Sequence, residues 1–283
     1  MNVTQPIRSG LAIALSLLPL FLFSQNLNQL WSHIDYGEAI GLHGMYVTDL
    51  NGDGENELLF SGQQYPGQHV FVTSYANGQL KNLWQSRFYD DLGVAKVLVF
   101  NADNDTDQEI GILLHDGTFE VYDGTTYALL QSIPTGVSFP YDAQIANIDA
   151  DPAMELVTVS VVDLSVFDLG SLTMEYQDAD YAGSQVLTGD VDGYGITEIV
   201  VSSPNDNKGY VLNGITKAVE WTYLGSFGNR MALADTNGDN VPEIFGASWS
   251  GSITIYDGLL HTPVDELVAI PNGVDIIRLT LRA

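Results

Sequence analysis

Apolar residues along this chain come in short runs of four to six, each closed by a turn signal, with no helical periodicity. The clearest unit runs through Ile110, Ile112, Leu113 and Leu114, turns at Asp116 and Gly117, returns through Phe119, Val121 and Tyr122, turns at Asp123 and Gly124, and leaves through Leu129, Leu130 and Ile133. Asp-Gly between β-rich segments is a strong short-range hairpin signal. Equivalent turns stand at Asn77 and Gly78, at Asn213 and Gly214, and at Asp257 and Gly258. The pattern predicts units of about four short strands each.

Ahead of each unit lies an acidic nine-residue loop with oxygen-bearing residues at alternate positions. The copies begin at Asp49, Asn101, Asn147, Asp190 and Asp235, spaced by 52, 46, 43 and 45 residues. A period in this range marks a repeat architecture. The first loop presents Asp49, Asn51, Asp53, Glu55 and Glu57, and the second Asn101, Asp103, Asp105, Asp107 and Glu109. The third presents Asn147, Asp149, Asp151 and Glu155; the fourth Asp190, Asp192 and Glu198; the fifth Asp235, Asn237, Asp239 and Glu243. Side-chain oxygens at positions one, three and five can curl around a hard cation that takes six to eight oxygen ligands, with a seventh-position carbonyl and the closing Glu completing the cage. The reading is several structural Ca²⁺ ions. An EF-hand would need its bidentate Glu at position twelve and flanking helices. Here the flanks are β-rich: Tyr46, Val47 and Thr48 before the first loop, Leu58, Leu59 and Phe60 after it, and Ile199 to Val201 and Ile244 with Phe245 after the last two. Tyr194 replaces the fifth-position carboxylate in the fourth loop, which is therefore expected to bind weakly or not at all.

A four-stranded unit of this length cannot bury both faces alone, and radial packing of such units is the β-propeller solution. The chain resembles the FG-GAP or VCBS repeat family over roughly residues 28–283, on the strength of the five loops and the strands after them. That family carries calcium loops between the first two strands of each blade, as in integrin α chains. The resemblance implies an all-β propeller of four-stranded blades, five complete with a partial sixth. It also implies that Asp49, Asn51, Asp53 and Glu57, with their counterparts in the second, third and fifth loops, ligate Ca²⁺. The phenylalanine-glycine and glycine-alanine-proline signatures of the family are absent. Leu30 to Ile34 reads as an outer strand without its blade, and Val274 to Leu279 as the first strand of a sixth, so the expectation is either a truncated piece of a longer propeller, the favoured reading, or an incomplete sixth blade.

Net charge is −27, from 36 acidic and 9 basic residues, and 17 of the acids sit in the five loops. Carboxylates so concentrated repel one another, a cost that bound cations would relieve. Nucleic acid and anionic lipid are poor partners for such a chain. Arg8, the apolar run from Leu11 to Phe23 and Ser24 predict a signal peptide over residues 1–24, with the propeller over 25–283. Export to the medium, periplasm or cell surface fits, since extracellular calcium supports weak sites. With no Cys, disulfides and thiolate metal sites are excluded.

No catalytic constellation emerges. His33, His43, His69, His115 and His261 lack zinc spacing, and the stretch around Ser248 reads as a strand and turn rather than a nucleophile elbow. The segments Val121 to Thr126 and Thr254 to Gly258 are similar to strand ends of quinoprotein propellers, with only Trp221 at a docking distance. Tyr65, Phe88, Tyr89, Phe139, Tyr141 and Trp249 are candidates for a ligand-binding face. The sequence therefore predicts a secreted calcium-binding module for adhesion or scaffolding, with a protein or polysaccharide ligand. The alternative is a secreted propeller enzyme acting on carbohydrate or alcohol substrates.

Overall fold

A computed structural model describes residues 40–62, 69–76, 78–89, 93–102, 107–149, 151–248 and 251–267. The predicted signal segment, the strands expected at Leu30 to Ile34 and Val274 to Leu279, and Tyr65, Asp103, Asp105 and Trp249 lie outside them.

The described residues form five antiparallel four-stranded sheets in strict chain order. Blade one contains β1 (Ile40–Thr48), β2 (Glu57–Gly62), β3 (Val70–Ala76) and β4 (Gln79–Gln85). Blade two contains β5 (Val94–Phe100), β6 (Glu109–Leu114), β7 (Thr118–Asp123) and β8 (Leu129–Pro134). Blade three contains β9 (Asp142–Ala146), β10 (Glu155–Val159), β11 (Leu164–Asp168) and β12 (Thr173–Asp178), followed by a single 3-10 turn at Ala179–Tyr181. Blade four contains β13 (Gln185–Gly189), β14 (Glu198–Ser203), β15 (Lys208–Asn213) and β16 (Val219–Leu224). Blade five contains β17 (Arg230–Ala234), β18 (Glu243–Ala247), β19 (Ile253–Asp257) and β20 (Thr262–Leu267).

First strands of successive blades are neighbours: β1 with β5, β5 with β9, β9 with β13, and β13 with β17. These are the innermost strands of a β-propeller, and the fourth strand of each blade is the outermost. The cores lie between blades. Ile110, Ile112 and Leu114 of β6 pack with Leu59, Val70 and Val72 of blade one, whereas Leu113 joins Ala143, Leu156 and Phe167 of blade three. Both faces of β6 are thus covered, so its burial is continuous rather than alternating. The outer strand β12 alternates exposed and half-buried positions, as an edge with one covered face should.

Candidate metal centres

Each nonapeptide links the innermost strand of a blade to the next, where the sequence placed it. The structure adds a fixed anchor that the spacing did not show. The ninth-position Glu turns back so that its Oε2 accepts the backbone N–H of position two. The bond runs from Leu50 to Glu57 at 3.0 Å, Ile148 to Glu155 at 2.7 Å, Val191 to Glu198 at 2.9 Å and Thr236 to Glu243 at 2.8 Å. Ala102 donates to Glu109 in the same way. All five carboxylates are buried. A buried carboxylate must be hydrogen-bonded or paired to be tolerated, so this Glu belongs to the folding of the loop whether or not an ion is present.

The front half of the loop is a chain of side-chain-capped turns. Asp49 Oδ2 accepts Gly54 N–H at 2.8 Å, Asp190 Oδ2 accepts Gly195 at 2.9 Å, and Asp235 Oδ2 accepts Asn240 at 2.9 Å. The third-position oxygen accepts from position five in the first, third, fourth and fifth loops, at 2.8–2.9 Å. Asp53, Asp151 and Asp239 repeat this with position seven. These bonds curl the loop backbone around its own side-chain oxygens.

Among the described residues, three carboxylates converge in loop three and in loop four. Asp149, Asp151 and Glu155 each bring a ligand atom within 4.8 Å of the others, and so do Asp190, Asp192 and Glu198. Loop four therefore gathers its carboxylates as closely as loop three, and Tyr194 stands exposed beside them. In loop five, Asn237 Nδ2 donates to Glu243 Oε1 at 2.6 Å, which satisfies that carboxylate from within. Of loop two, Asn101, Asp107 and Glu109 are described, and Thr125 Oγ1 donates to Asp107 Oδ2 at 2.7 Å.

The chemistry of the converged loops suits a hard cation. Glu155 Oε1 is buried with no hydrogen-bond partner, and such an orphan needs one. Burial, and then the charges of Asp149 and Asp151, push the Glu155 carboxyl up to about 7. Burial, and then Asp192, Glu220 and Asp190, do the same at Glu198, to about 7. Burial also raises Glu57, with Asp53 and Asp49 adding to it. An all-oxygen cluster whose members destabilise one another's charge fits a divalent ion held by Asp149, Asp151 and Glu155, or by Asp190, Asp192 and Glu198.

The candidate ligand-face aromatics divide. Phe88, Phe139 and Tyr141 are exposed, but Tyr89 is fully buried, contrary to the sequence reading. Its hydroxyl donates to Glu120 Oε2 at 2.7 Å, and Glu120 also pairs with Arg87 at 2.9 Å. Glu120, Arg87 and Tyr89 form a polar knot between blades one and two, a structural use that alternation alone could not reveal. Trp221 lies on outer strand β16, stacked on His261 at 5.3 Å.

No protein-family model matches this chain, and no curated protein matches it. Solved structures do. The chain is similar to BBS1N, crystallised in complex with ARL6DN and soaked with mercury, at 12% identity and TM-score 0.59, over 84% of this chain and 83% of that one. It is similar to Saccharomyces cerevisiae Sqt1 at 11% identity and TM-score 0.55, over 82% and 72%. It is also similar to the exotype rhamnogalacturonan lyase YesX at 17% identity and TM-score 0.54, over 79% of this chain and 39% of that one. These likenesses show the propeller fold and nothing finer.

Proposed function

We propose that this chain is an exported, calcium-stabilised propeller of the FG-GAP or VCBS type that serves as a binding or scaffold module for a protein or polysaccharide ligand. The observation that carries the metal half is the orphaned, buried Oε1 of Glu155 inside a converged carboxylate cluster that recurs in loop four. Bound there, a Ca²⁺ ion would supply positive charge to mutually repelling carboxylates and hold the connection between the two innermost strands. The binding half rests on exposed Phe88, Phe139 and Tyr141 and on the use of this fold as a partner-holding module in the BBS1N–ARL6DN complex. The enzyme reading on carbohydrate or alcohol substrates needs a convergent acid–base pair. The inner-strand carboxylate Asp142 is instead held by Lys96 at 2.6 Å.

The test is thermal unfolding in excess EDTA and then in millimolar Ca²⁺ or Mg²⁺. A large upward shift specific to Ca²⁺ supports the reading, because an ion that binds only the folded state stabilises it by mass action. An unmoved midpoint would leave the loops as acidic turns and remove the reading's basis.

A further inference from the structure

The nonapeptides lie at one end of the blades, where first strands run into second strands. The hairpins between second and third strands, and the connections from blade to blade, lie at the other end. At that far end blade three differs from its neighbours. Each incoming connection is tied by one backbone N–H to the end of the blade's second strand, and the donor is Ser184 in blade four and Asn229 in blade five. In blade three it is Tyr141, which donates to the Val159 carbonyl at 2.8 Å. The hairpin that follows the second strand carries His115 and Asp116 in blade two and Pro204, Asn205, Asp206 and Asn207 in blade four, but Val161 and Val162 in blade three. Tyr141 is 44% exposed, each valine 53%, and Phe139, two residues before Tyr141, 68%.

Phe139 is also strained. Its φ of 47° lies in the left-handed region that bulky side chains avoid. Tyr127, Leu172, Lys217 and His261 share that region, but each fills the same place in the hairpin after a third strand, and Asn207 and Asn240 are of a type that tolerates it. Neither reason applies to Phe139. Glycine would suit the backbone better, and a ring so exposed gains little from packing within the chain. Strain of this kind gathers where a side chain must meet a ligand. The segment is firmly held: Phe139 N–H donates to the His115 carbonyl at 2.9 Å, the His115 ring bonds the backbone of Pro140, and Pro140 is itself buried. A partner would therefore meet two rings on an ordered backbone, which lowers the entropic cost of docking.

Charge decides what covers this surface. From residue 97 to residue 207 the chain has 20 acidic residues and no Lys or Arg. Lys96, at the same end of the blades, is matched by Asp142 at 2.6 Å. Asp116, next to the residue that holds Phe139, and Asp180, in the 3-10 turn beside β11, are exposed. A second copy of a chain with net charge −27 would be repelled, whereas a basic protein would be steered in. Two aliphatic side chains beside two aromatic rings suit the apolar side chains of a protein, and a neighbouring Lys or Arg can lie over a ring face. We propose that the surface formed by Phe139, Tyr141, Val161 and Val162 docks a partner protein through a segment that carries basic residues among apolar ones. The apolar side chains lie on the rings and valines, and the basic ones face Asp116 and Asp180. This rests on the reading of the chain as a binding module, and names the class of partner the module takes.

The experiment is calorimetric titration of the full chain in millimolar Ca²⁺ and about 0.15 M salt, where exposed charges are screened beyond about 8 Å. The probes are capped hexapeptides alternating valine with arginine, valine with glutamate, and glycine with arginine, together with the neutral sugar cellohexaose. The valine–arginine peptide should bind at one site, about tenfold or more tightly than the glycine–arginine peptide, and the glutamate peptide and cellohexaose should not bind. Phe139→Gly removes the ring and relieves the backbone, so it should weaken the peptide about tenfold while the denaturation midpoint holds or rises. Tyr141→Ser gives blade three the residue that blade four carries and should weaken binding without loss of cooperative unfolding. Binding undiminished by Phe139→Gly, equal binding of the glycine–arginine peptide, or no peptide binding would overturn the proposal. Cellohexaose binding that Phe139→Gly abolishes would also overturn it, while leaving the module reading with a sugar as its ligand. A failed Ca²⁺ response in thermal unfolding, with peptide binding intact, would count against the metal half of that reading alone.

Discussion

Ile148 N–H donates to Glu155 Oε2 at 2.7 Å, while the other oxygen of that buried carboxylate has no protein partner. The two oxygens therefore do separate jobs, one closing the loop and one available to an ion. Glu155→Ala should cost about 1–3 kcal/mol, because the Ile148 N–H loses its acceptor. Glu155→Gln keeps an acceptor oxygen and removes the charge. It should leave metal-free stability close to the parent while reducing the Ca²⁺-induced gain, both read by urea unfolding with and without Ca²⁺.

The raised carboxyls of Glu155 and Glu198 predict an unusual pH response. Their folded pKa values, about 7, lie above the unfolded carboxylate range. Their contribution is fully present below about pH 4.5 and is lost as pH rises through about 7. Without metal, stability should therefore increase as pH falls from 8 to 5. Burial depresses His115, which opposes this over the same window, but it is one group against several. Saturating Ca²⁺ should flatten or reverse the slope, since binding needs the ionised carboxylates. Metal-free stability that rises steadily from pH 5 to 8, in denaturant titrations, would contradict the assignment.

The close approach of Gly214 to the acidic loop of the preceding blade can be tested by a methyl group. Gly214→Ala places Cβ 2.1 Å from the carbonyl oxygen of Thr197 and 2.5 Å from that of Ile148. Backbone must move on two blades, and the cost should be about 1–3 kcal/mol. Gly136→Ala meets nothing within 4 Å but sits at φ +80°, so only backbone strain of about 1–2 kcal/mol applies. Chemical denaturation of both variants should show unchanged m-values if the fold is retained.

Lys96 and Asp142 join the innermost strands of blades two and three at 2.6 Å, and Asp142 Oδ2 also accepts Val186 N–H of blade four at 3.1 Å. Asp142→Ala removes the carboxylate facing a mostly buried ammonium and the acceptor of the Val186 amide, and should cost about 3–5 kcal/mol. Lys96→Met combined with Asp142→Leu should recover much of that loss. A double-mutant cycle in denaturant reads the coupling.

Much of the fold could be read from the residues because its signals are local. Asp123 with Gly124, and the apolar runs on either side, specify hairpins through turn chemistry and strand propensity, and the loop starts fix the blade period. What stayed hidden depends on neighbours distant in sequence. Gly124 looked like a hairpin residue, yet its lack of a side chain is also required by the carbonyl of Leu50 in another blade. The Glu closing each loop was read as a ligand, but its bond to position two follows from the strand pairing of Thr48 with Glu57 and its equivalents. Tyr89 looked like a surface aromatic because its partner, Glu120, is 31 residues away.

The central claim is that the repeated loops are calcium sites, and the most direct measurement is native mass spectrometry of the desalted chain titrated with Ca²⁺ against a Mg²⁺ control. The account predicts discrete Ca²⁺ adducts that saturate at several ions per chain, with one fewer in Glu155→Gln. Adducts that never saturate, or that form equally with Mg²⁺ and survive unchanged in the variant, would contradict it.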